Sequence, residues 1–334
     1  MKVSFIIPLY NCLPLTQAML ASLQETLPPG LDYEIILVDD GSTDGTREWL
    51  TSLSTPCRAI LNENNLGFAG ACNRGAATAT GKLLFFLNND LVLLPRWLEP
   101  MLAAFDQYPD AGLVGNVQVN AATGAVDHVG IYFNHQGKPA HRTDLPATTR
   151  WLGLPAYRTV DALTGACFGL HRAAWQKLGG FDEAYINGGE DIDLALRASA
   201  AGLRHYVALR SVVRHLISSS PGRNLRNEQN TRRLVQLWQH IILSRIDRVC
   251  SRACLAAAWE DPRDYPDARL ALEAFLHLVW LLPTPTRRLR AAAQCSLDRE
   301  SARWAHLLDG APARAEREIA PQFYPVERVE PAAL

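Results

Sequence analysis

The stretch Leu83-Leu-Phe-Phe-Leu-Asn-Asn-Asp-Leu-Val-Leu-Leu-Pro95 decides how the rest of the chain is read. Its first five residues are continuously apolar, with the length of a strand buried on both faces. The run stops at Asn88-Asn89-Asp90 and gives way to a second apolar run and Pro95-Arg96-Trp97, where the sequence predicts a helix start. Open α/β sheets bind ligands at the carboxyl ends of their strands, which is where Asp90 falls. A carboxylate there is a hard oxygen ligand, suited to a divalent cation that carries phosphates. Asn-Asn-Asp taken alone is equally a turn, because these residues favour turns.

The preceding residues supply the context. Runs at Lys2–Pro8, Tyr33–Val38 and Cys57–Leu61 read as three earlier strands. Helical stretches are expected over Pro14–Glu25, from Thr43-Asp44 through Leu53 with Ser42 or Thr43 as cap, and after Asn65-Leu66-Gly67. The alternation predicts an α/β fold with a Rossmann-like, mostly parallel sheet flanked by helices. Two strands then end in acid-bearing turns, Asp39-Asp40 and Asn89-Asp90, which suggests one polar site at the sheet's edge. Neither the G-x-G-x-x-G fingerprint nor a P-loop occurs, which disfavours a dehydrogenase and a P-loop enzyme.

Further on, strands are expected at Leu113–Val119, Val126–Phe133, Leu163–Leu170, Arg204–Leu209 and Val212–Leu216, with a long loop over Gln136–Arg158. A short helix is expected over Arg172–Leu178. The second informative stretch is Asn187-Gly-Gly-Glu-Asp-Ile-Asp193. It places Glu190 and Asp191 in the first turn of a helix, after two glycines that permit close approach. Acids there complement the helix dipole, but three in four residues exceed what capping needs. A carboxylate kept ionised by the dipole can serve as a general base. His215 ends a strand before the polar loop Ser218–Arg223, consistent with a metal ligand followed by a lid.

The chain has 334 residues, 48% hydrophobic and 20% charged, enough for a large domain with an appendage. A net charge of -1 gives no sign of nucleic-acid binding. Seven cysteines without a CxxC pair read as free thiols of a reducing compartment, and Cys250 and Cys254 read as packing residues. No signal peptide or spanning segment is apparent, so a cytoplasmic protein is expected, with peripheral contact at the inner membrane left open. From Asn224 the chain reads as helical to about residue 309. Its first part is arginine-rich and has an apolar face at Leu234, Leu237, Trp238, Ile241 and Ile242. Packing, membrane docking and a homodimer all remain open for it. The tail from Pro312 reads as loosely held.

The ordered set Phe5-Ile-Ile-Pro-Leu-Tyr-Asn11, Val38-Asp-Asp-Gly-Ser-Thr-Asp44, Asn65-Leu-Gly-Phe-Ala69, Leu87-Asn-Asn-Asp90, Gly180-Phe-Asp-Glu183 and Gly189-Glu-Asp-Ile-Asp-Leu194 resembles the inverting glycosyltransferases of family 2, with the GT-A fold. Bacterial O-antigen and cell-wall polysaccharide enzymes, including rhamnosyltransferase-like members, are the nearest in look. The resemblance covers residues 1–220 as a catalytic domain and leaves 224–310 as a helical extension and 311–334 as a tail. It implies that Pro8 and Tyr10 line a nucleobase pocket, that Asp40 accepts from the base, and that Asp39 supports that turn. Asn65 and Asn73 would lie near the nucleotide and Asn89 would face the ribose. Asp90, with His215 as a second ligand, would hold Mg²⁺ or Mn²⁺. Asp191 would be the catalytic base, and Glu190 and Gly189 would place the acceptor.

The implied partners are a nucleotide-sugar donor, such as a UDP-sugar or dTDP-rhamnose, and a glycan or lipid-linked acceptor. The usual acidic D-x-D is here Asn88-Asn89-Asp90, so one carboxylate anchors the metal. A nucleotidyltransferase and a non-catalytic sugar-nucleotide- or glycan-binding protein are the competing readings.

Overall fold

The computed structural model describes residues 1–145, 156–216, 226–260 and 267–310. The Ser218–Arg223 loop, the middle of the Gln136–Arg158 stretch and the tail from Pro312 lie outside them. The chain divides into two compact units, residues 1–132 with 140–230, and residues 133–139 with 231 onward.

The first unit opens with strand and helix in alternation: β1 (Val3–Leu9), α1 (Leu13–Thr26), β2 (Tyr33–Asp39), α2 (Thr46–Thr51), β3 (Cys57–Leu61), α3 (Gly67–Thr78) and β4 (Leu83–Leu87). β1 pairs in parallel with β2 and β4, and β2 with β3. Every residue of β4 is buried, as its unbroken apolar run requires.

The chain continues with β5 (Leu91–Leu93), α4 (Leu98–Gln107), β6 (Ala111–Asn120), β7 (Val126–His128), β8 (Ile131–Phe133), β9 (Pro139–His141), β10 (Tyr157–Val160), β11 (Cys167–His171), α5 (Arg172–Leu178), α6 (Glu190–Ala200) and β12 (Arg204–His215). Among the described residues the sheet has ten strands. Its main order is β10-β12-β6-β11-β4-β1-β2-β3, with β5 on β12 and β7 on β6. β11 enters antiparallel between β4 and β6 and joins the parallel half to the rest. Opposite Phe85 it carries Gly169, where a Cβ would lie 2.7 Å from the Phe85 ring. Only glycine lets that ring lie across the strand.

Several boundaries differ from the sequence reading. The helix expected from Thr43 starts at Thr46, because the Asp44 side chain accepts from the Thr46 N–H and hydroxyl and holds the preceding residues as a turn. The helix expected at Pro95 starts at Leu98, and the apolar run before it is β5, which periodicity over three residues does not reveal. The Val126–Phe133 run breaks at Val129-Gly130 into β7 and β8. Leu163–Ala166 is a loop, and the strand begins at Cys167. β9 and β10 lie in the stretch expected to be loop. The two strands expected between Arg204 and Leu216 are one, β12, with a register shift between Ala208 and Val212.

The second unit holds α7 (Asn227–Glu260, of which the first residues count with the sheet unit), α8 (Ala268–Leu278) and α9 (Arg287–Asp309). α7 is kinked at Trp238. Cys254, Leu270, Ala274, Leu289 and Ala292 form a small core, so Cys254 is a packing residue. Lys138 reaches Glu300 at 2.8 Å, and Arg232 binds Asp309 through both guanidinium nitrogens at 2.7 and 2.6 Å.

Trp97 anchors the core of the first unit. It is fully buried, with its ring 6.3 Å from those of Phe5 and Phe85. Trp97→Ala should lower unfolding free energy by about 3–5 kcal/mol in urea titration, whereas Trp97→Phe should cost clearly less. Equal losses would contradict the cavity account.

Candidate functional site

The carboxyl ends of β1, β2 and β4 open into one cleft. From these ends come Pro8, Leu9, Tyr10, Asp40 and Asn88-Asn89-Asp90. The start of α3 adds Asn65, Gly67, Phe68 and Ala71, the loop before β11 adds Thr164-Gly165-Ala166, and the approach to α6 adds Asn187, Gly188, Glu190 and Asp191.

The first two loops are laced together. The Asn11 N–H donates to Ser42 Oγ at 2.7 Å, the Thr43 N–H to Asn11 Oδ1 at 2.8 Å, and the Leu13 N–H to Asp44 Oδ2 at 3.0 Å. This fixes the backbone beside Tyr10, whose ring is exposed. Asp39 supports the turn by accepting from the Gly41 and Ser42 N–H groups at 3.3 Å, with Arg47 3.6 Å away. Asp40 is the more heavily used carboxylate. Its Oδ1 accepts from Asn62 Nδ2 and the Leu66 N–H, and its Oδ2 from the Gly67 N–H, all at 2.8 Å. It therefore caps α3 from a neighbouring loop. A carboxylate has about four lone-pair sites, so these three bonds leave about one for a ligand.

Asn89 lines the cleft, with its Nδ2 bound to Thr16 Oγ1 at 3.0 Å. Asn65 also lines it and accepts from the Gly67 N–H. Asn73 does not. Its amide donates to the Phe181 carbonyl and Glu183 Oε1 and accepts from the Phe181 N–H, at 2.8–3.0 Å. These bonds tether the Gly180-Phe181 loop to α3.

β5 pairs antiparallel with the end of β12 and sets His215 opposite Leu91. His215 Nε2 then lies 3.3 Å from Asp90 Oδ1, and its Nδ1 lies 3.7 Å from Asp127 Oδ2. Both ring nitrogens are buried without an aligned hydrogen-bond partner among the described residues. Two adjacent ligands of an octahedral cation at ~2.1 Å stand roughly 3 Å apart, so this spacing fits a shared Mg²⁺ or Mn²⁺. Among the described residues no third His, Cys, Asp or Glu joins them to complete a metal cluster. A cation held here would take its remaining ligands from phosphate and water, as Mg²⁺ commonly does. Beside this pair, His128 Nδ1 lies 3.3 Å from His141 Nδ1, and burial first, then the two neighbouring histidines, depress the His128 pKa well below its usual value.

Asn187, Gly188 and Gly189 have φ of 55°, 144° and 99°. A Cβ on Gly189 would lie 2.9 Å from the Tyr185 ring, so side chains are excluded on two counts. Asn230 Nδ2 holds this approach through the Ile186 carbonyl at 2.9 Å. Glu190, buried, accepts from the Gly188 N–H at 2.8 Å and stabilises the turn. Asp191 is half-buried and accepts from the Gly165 N–H at 2.6 Å and its neighbour's Ile192 N–H at 2.8 Å. Burial pushes its pKa above the usual carboxylate range, against the pull of those two donors and of His141. The helix dipole alone predicts the opposite direction; here desolvation wins.

The sequence reading missed Gly165, Phe68, Thr16, Asn62 and the Asp127–His128–His141 group. A glycine inside the apolar Leu163–Leu170 run was the one available signal, since such glycines mark close approach.

Residues 4–175 match the sequence profile of "Glycosyl transferase family 2". The chain is 31% identical over 227 residues to an O-antigen biosynthesis protein, RfbC, of Myxococcus xanthus, covering 66% of this chain and 18% of that protein. It is 28% identical over 239 residues to an N-acetylglucosaminyl-diphospho-decaprenol L-rhamnosyltransferase of Mycobacterium tuberculosis, covering 63% of this chain and 75% of the other. Among solved structures, GalNAc-T7 with UDP, GalNAc and Mn²⁺ superposes with a TM-score of 0.59 at 17% identity, over 92% of this chain and 57% of that one. That last likeness is one of fold.

Asp40→Ala removes the acceptor of two N–H groups at the start of α3 and of the Asn62 amide. It should cost about 2–4 kcal/mol in urea unfolding. An unchanged midpoint would show that the loop holds itself.

Proposed function

Because the chain belongs to glycosyl transferase family 2 and has its GT-A fold, we propose that it is an inverting, metal-dependent enzyme. It moves a sugar from a UDP- or dTDP-linked donor to a hydroxyl of a glycan or lipid-linked glycan. The observation that carries this reading is the charge of the cleft. Its lining has four carboxylates, Asp40, Asp90, Glu190 and Asp191, and no lysine or arginine among the described residues. A diphosphate enters such a cleft favourably only with its own cation.

In this reading the exposed Tyr10 ring is a stacking face for the base, with Pro8 beside it. The lone pair left on Asp40 accepts from an imide N–H, as uracil and thymine offer. The Asn89 carbonyl, with its amide already on Thr16, takes a ribose hydroxyl. Asp90 and His215 hold the cation, which when bound offsets charge on the departing nucleoside diphosphate. Asp191 takes the proton of the acceptor hydroxyl as that oxygen bonds to the anomeric carbon and the bond to the diphosphate breaks. The Gly165 N–H fixes the Asp191 carboxylate for this, and the raised pKa makes it a stronger base than an exposed aspartate. Glu190 and Gly189 shape the acceptor's approach. The rhamnosyltransferase relative supports dTDP-rhamnose as a first donor to test. A triphosphate-handling nucleotidyltransferase is opposed by the loop after β1, whose Asn11 and Leu13 N–H groups are already committed to Ser42 and Asp44.

Asp191→Asn should cut transfer by about 10²–10⁴-fold, read as nucleoside diphosphate released, while binding of the metal–nucleotide complex is kept. Near-normal transfer in that variant would remove Asp191 from the role. In the unmodified enzyme the base is lost by protonation. The rate should therefore fall on the acid side, beginning above the pH at which ordinary carboxylates titrate. A profile flat down to the usual carboxylate range would contradict the desolvated base.

A further inference from the structure

The helical unit carries a surface that the transferase reading does not use. α8 is apolar on two opposite faces. Leu270 and Ala274 point into the small core, while Leu272, Phe275 and Val279 form an exposed stripe at i, i+3 and i+7. An apolar face of a helix is normally covered. The stripe runs into a turn that exposes Trp280 at 69% and Leu281 at 71%.

This turn is built to stay out. The Val279 N–H bonds to the Phe275 carbonyl at 3.0 Å and the Leu282 N–H to the Leu276 carbonyl at 3.0 Å. The buried His277 ring bonds to the Leu282 carbonyl at 2.8 Å. Trp280 sits at φ 65°, a conformation bulky side chains avoid, with the Arg248 guanidinium 3.3 Å from its ring centre. Arginines border the apolar residues: Arg269 stands one turn before Leu272, and the exposed Arg287 and Arg288 follow at the start of α9. The acids nearest in sequence, Asp267 and Glu273, are each engaged by an arginine, Arg288 and Arg269.

We propose that Leu272, Phe275, Trp280 and Leu281, with their arginine border, dock this protein on an anionic lipid surface. Apolar side chains with a tryptophan enter the acyl boundary, and the guanidinium groups meet the headgroups. Charge decides between occupants. Arg288 and Arg269 are paired with Asp267 and Glu273, so the excess positive charge of this border is that of Arg287. A second copy seated on the same face would set that charge against itself, whereas an anionic bilayer complements it. The sequence left such a role open for arginine-rich α7 beside packing and a homodimer; the exposed apolar side chains place it on α8 and the turn after it. The surface is independent of which acceptor the cleft takes.

The test is co-sedimentation of the full chain with phosphatidylcholine vesicles, with and without phosphatidylglycerol. The chain should bind the anionic vesicles at least ~tenfold more tightly than the neutral ones, and less so in high salt. Trp280→Glu combined with Leu281→Glu should lose about tenfold or more of that binding with unchanged circular dichroism, because both side chains are exposed. Arg287→Glu combined with Arg288→Glu should remove the preference for phosphatidylglycerol. The proposal is overturned if the chain stays in the supernatant with anionic vesicles, or if the Trp280/Leu281 variant sediments like the parent. A dimer in light scattering that this variant dissociates would also overturn it, by assigning the face to a second copy.

Discussion

The site depends on one strand pairing. β5 runs antiparallel to the end of β12, and this sets His215 against Asp90 although 125 positions separate them in the sequence. The same pairing continues into the hydrogen bond from the Leu216 N–H to the Asp90 carbonyl at 2.9 Å. β11, antiparallel between β4 and β6, acts likewise from the other side. It positions the Thr164-Gly165-Ala166 loop, the Asn88 N–H bonds to the Ala166 carbonyl at 2.8 Å, and Gly165 reaches Asp191. The parallel half of the sheet thus supplies the Asp40 and Asp90 side of the cleft, and the antiparallel insertions bring the remaining groups to it.

Within that frame Asp40 and Glu190, two of the four carboxylates that line the cleft, have structural duties, as does the neighbouring Asp39. Asp39 and Asp40 hold turns, and Glu190 holds the Gly188 N–H. In the proposed reading, a cleft lined by carboxylates repels a bare diphosphate and accepts one carrying a cation. Asp191 differs in balance: it has two donors, yet burial outweighs them. The desolvation that costs energy there gives the carboxylate its strength as a base.

Much of this was legible in the sequence, for physical reasons. Buried parallel strands write continuous apolar runs, so β1, β2, β3 and β4 were read within a residue or two. The acid-bearing turns at Asp40 and Asp90 pointed to one edge of the sheet because strand ends there must lie together, and the Gly-Gly-Glu-Asp stretch marked a site at a helix start. Short strands were not legible, since three residues such as Leu91–Leu93 carry no period. The tether that Asn73 makes was not legible, because a side chain's hydrogen-bond partner, here Phe181 far along the chain, leaves no trace in local pattern. The part Asp40 plays in capping α3 was hidden likewise, as the capped N–H groups belong to another loop.

The central claim is that Asp90 admits a nucleoside diphosphate to this cleft by holding its cation. Calorimetric titration of UDP and dTDP, each with and without Mn²⁺, into the parent chain and Asp90→Ala tests it most directly. The account predicts binding of at least one of the two only with Mn²⁺, and its loss in the variant. Equal binding without metal, or full metal-dependent binding by Asp90→Ala, would contradict it.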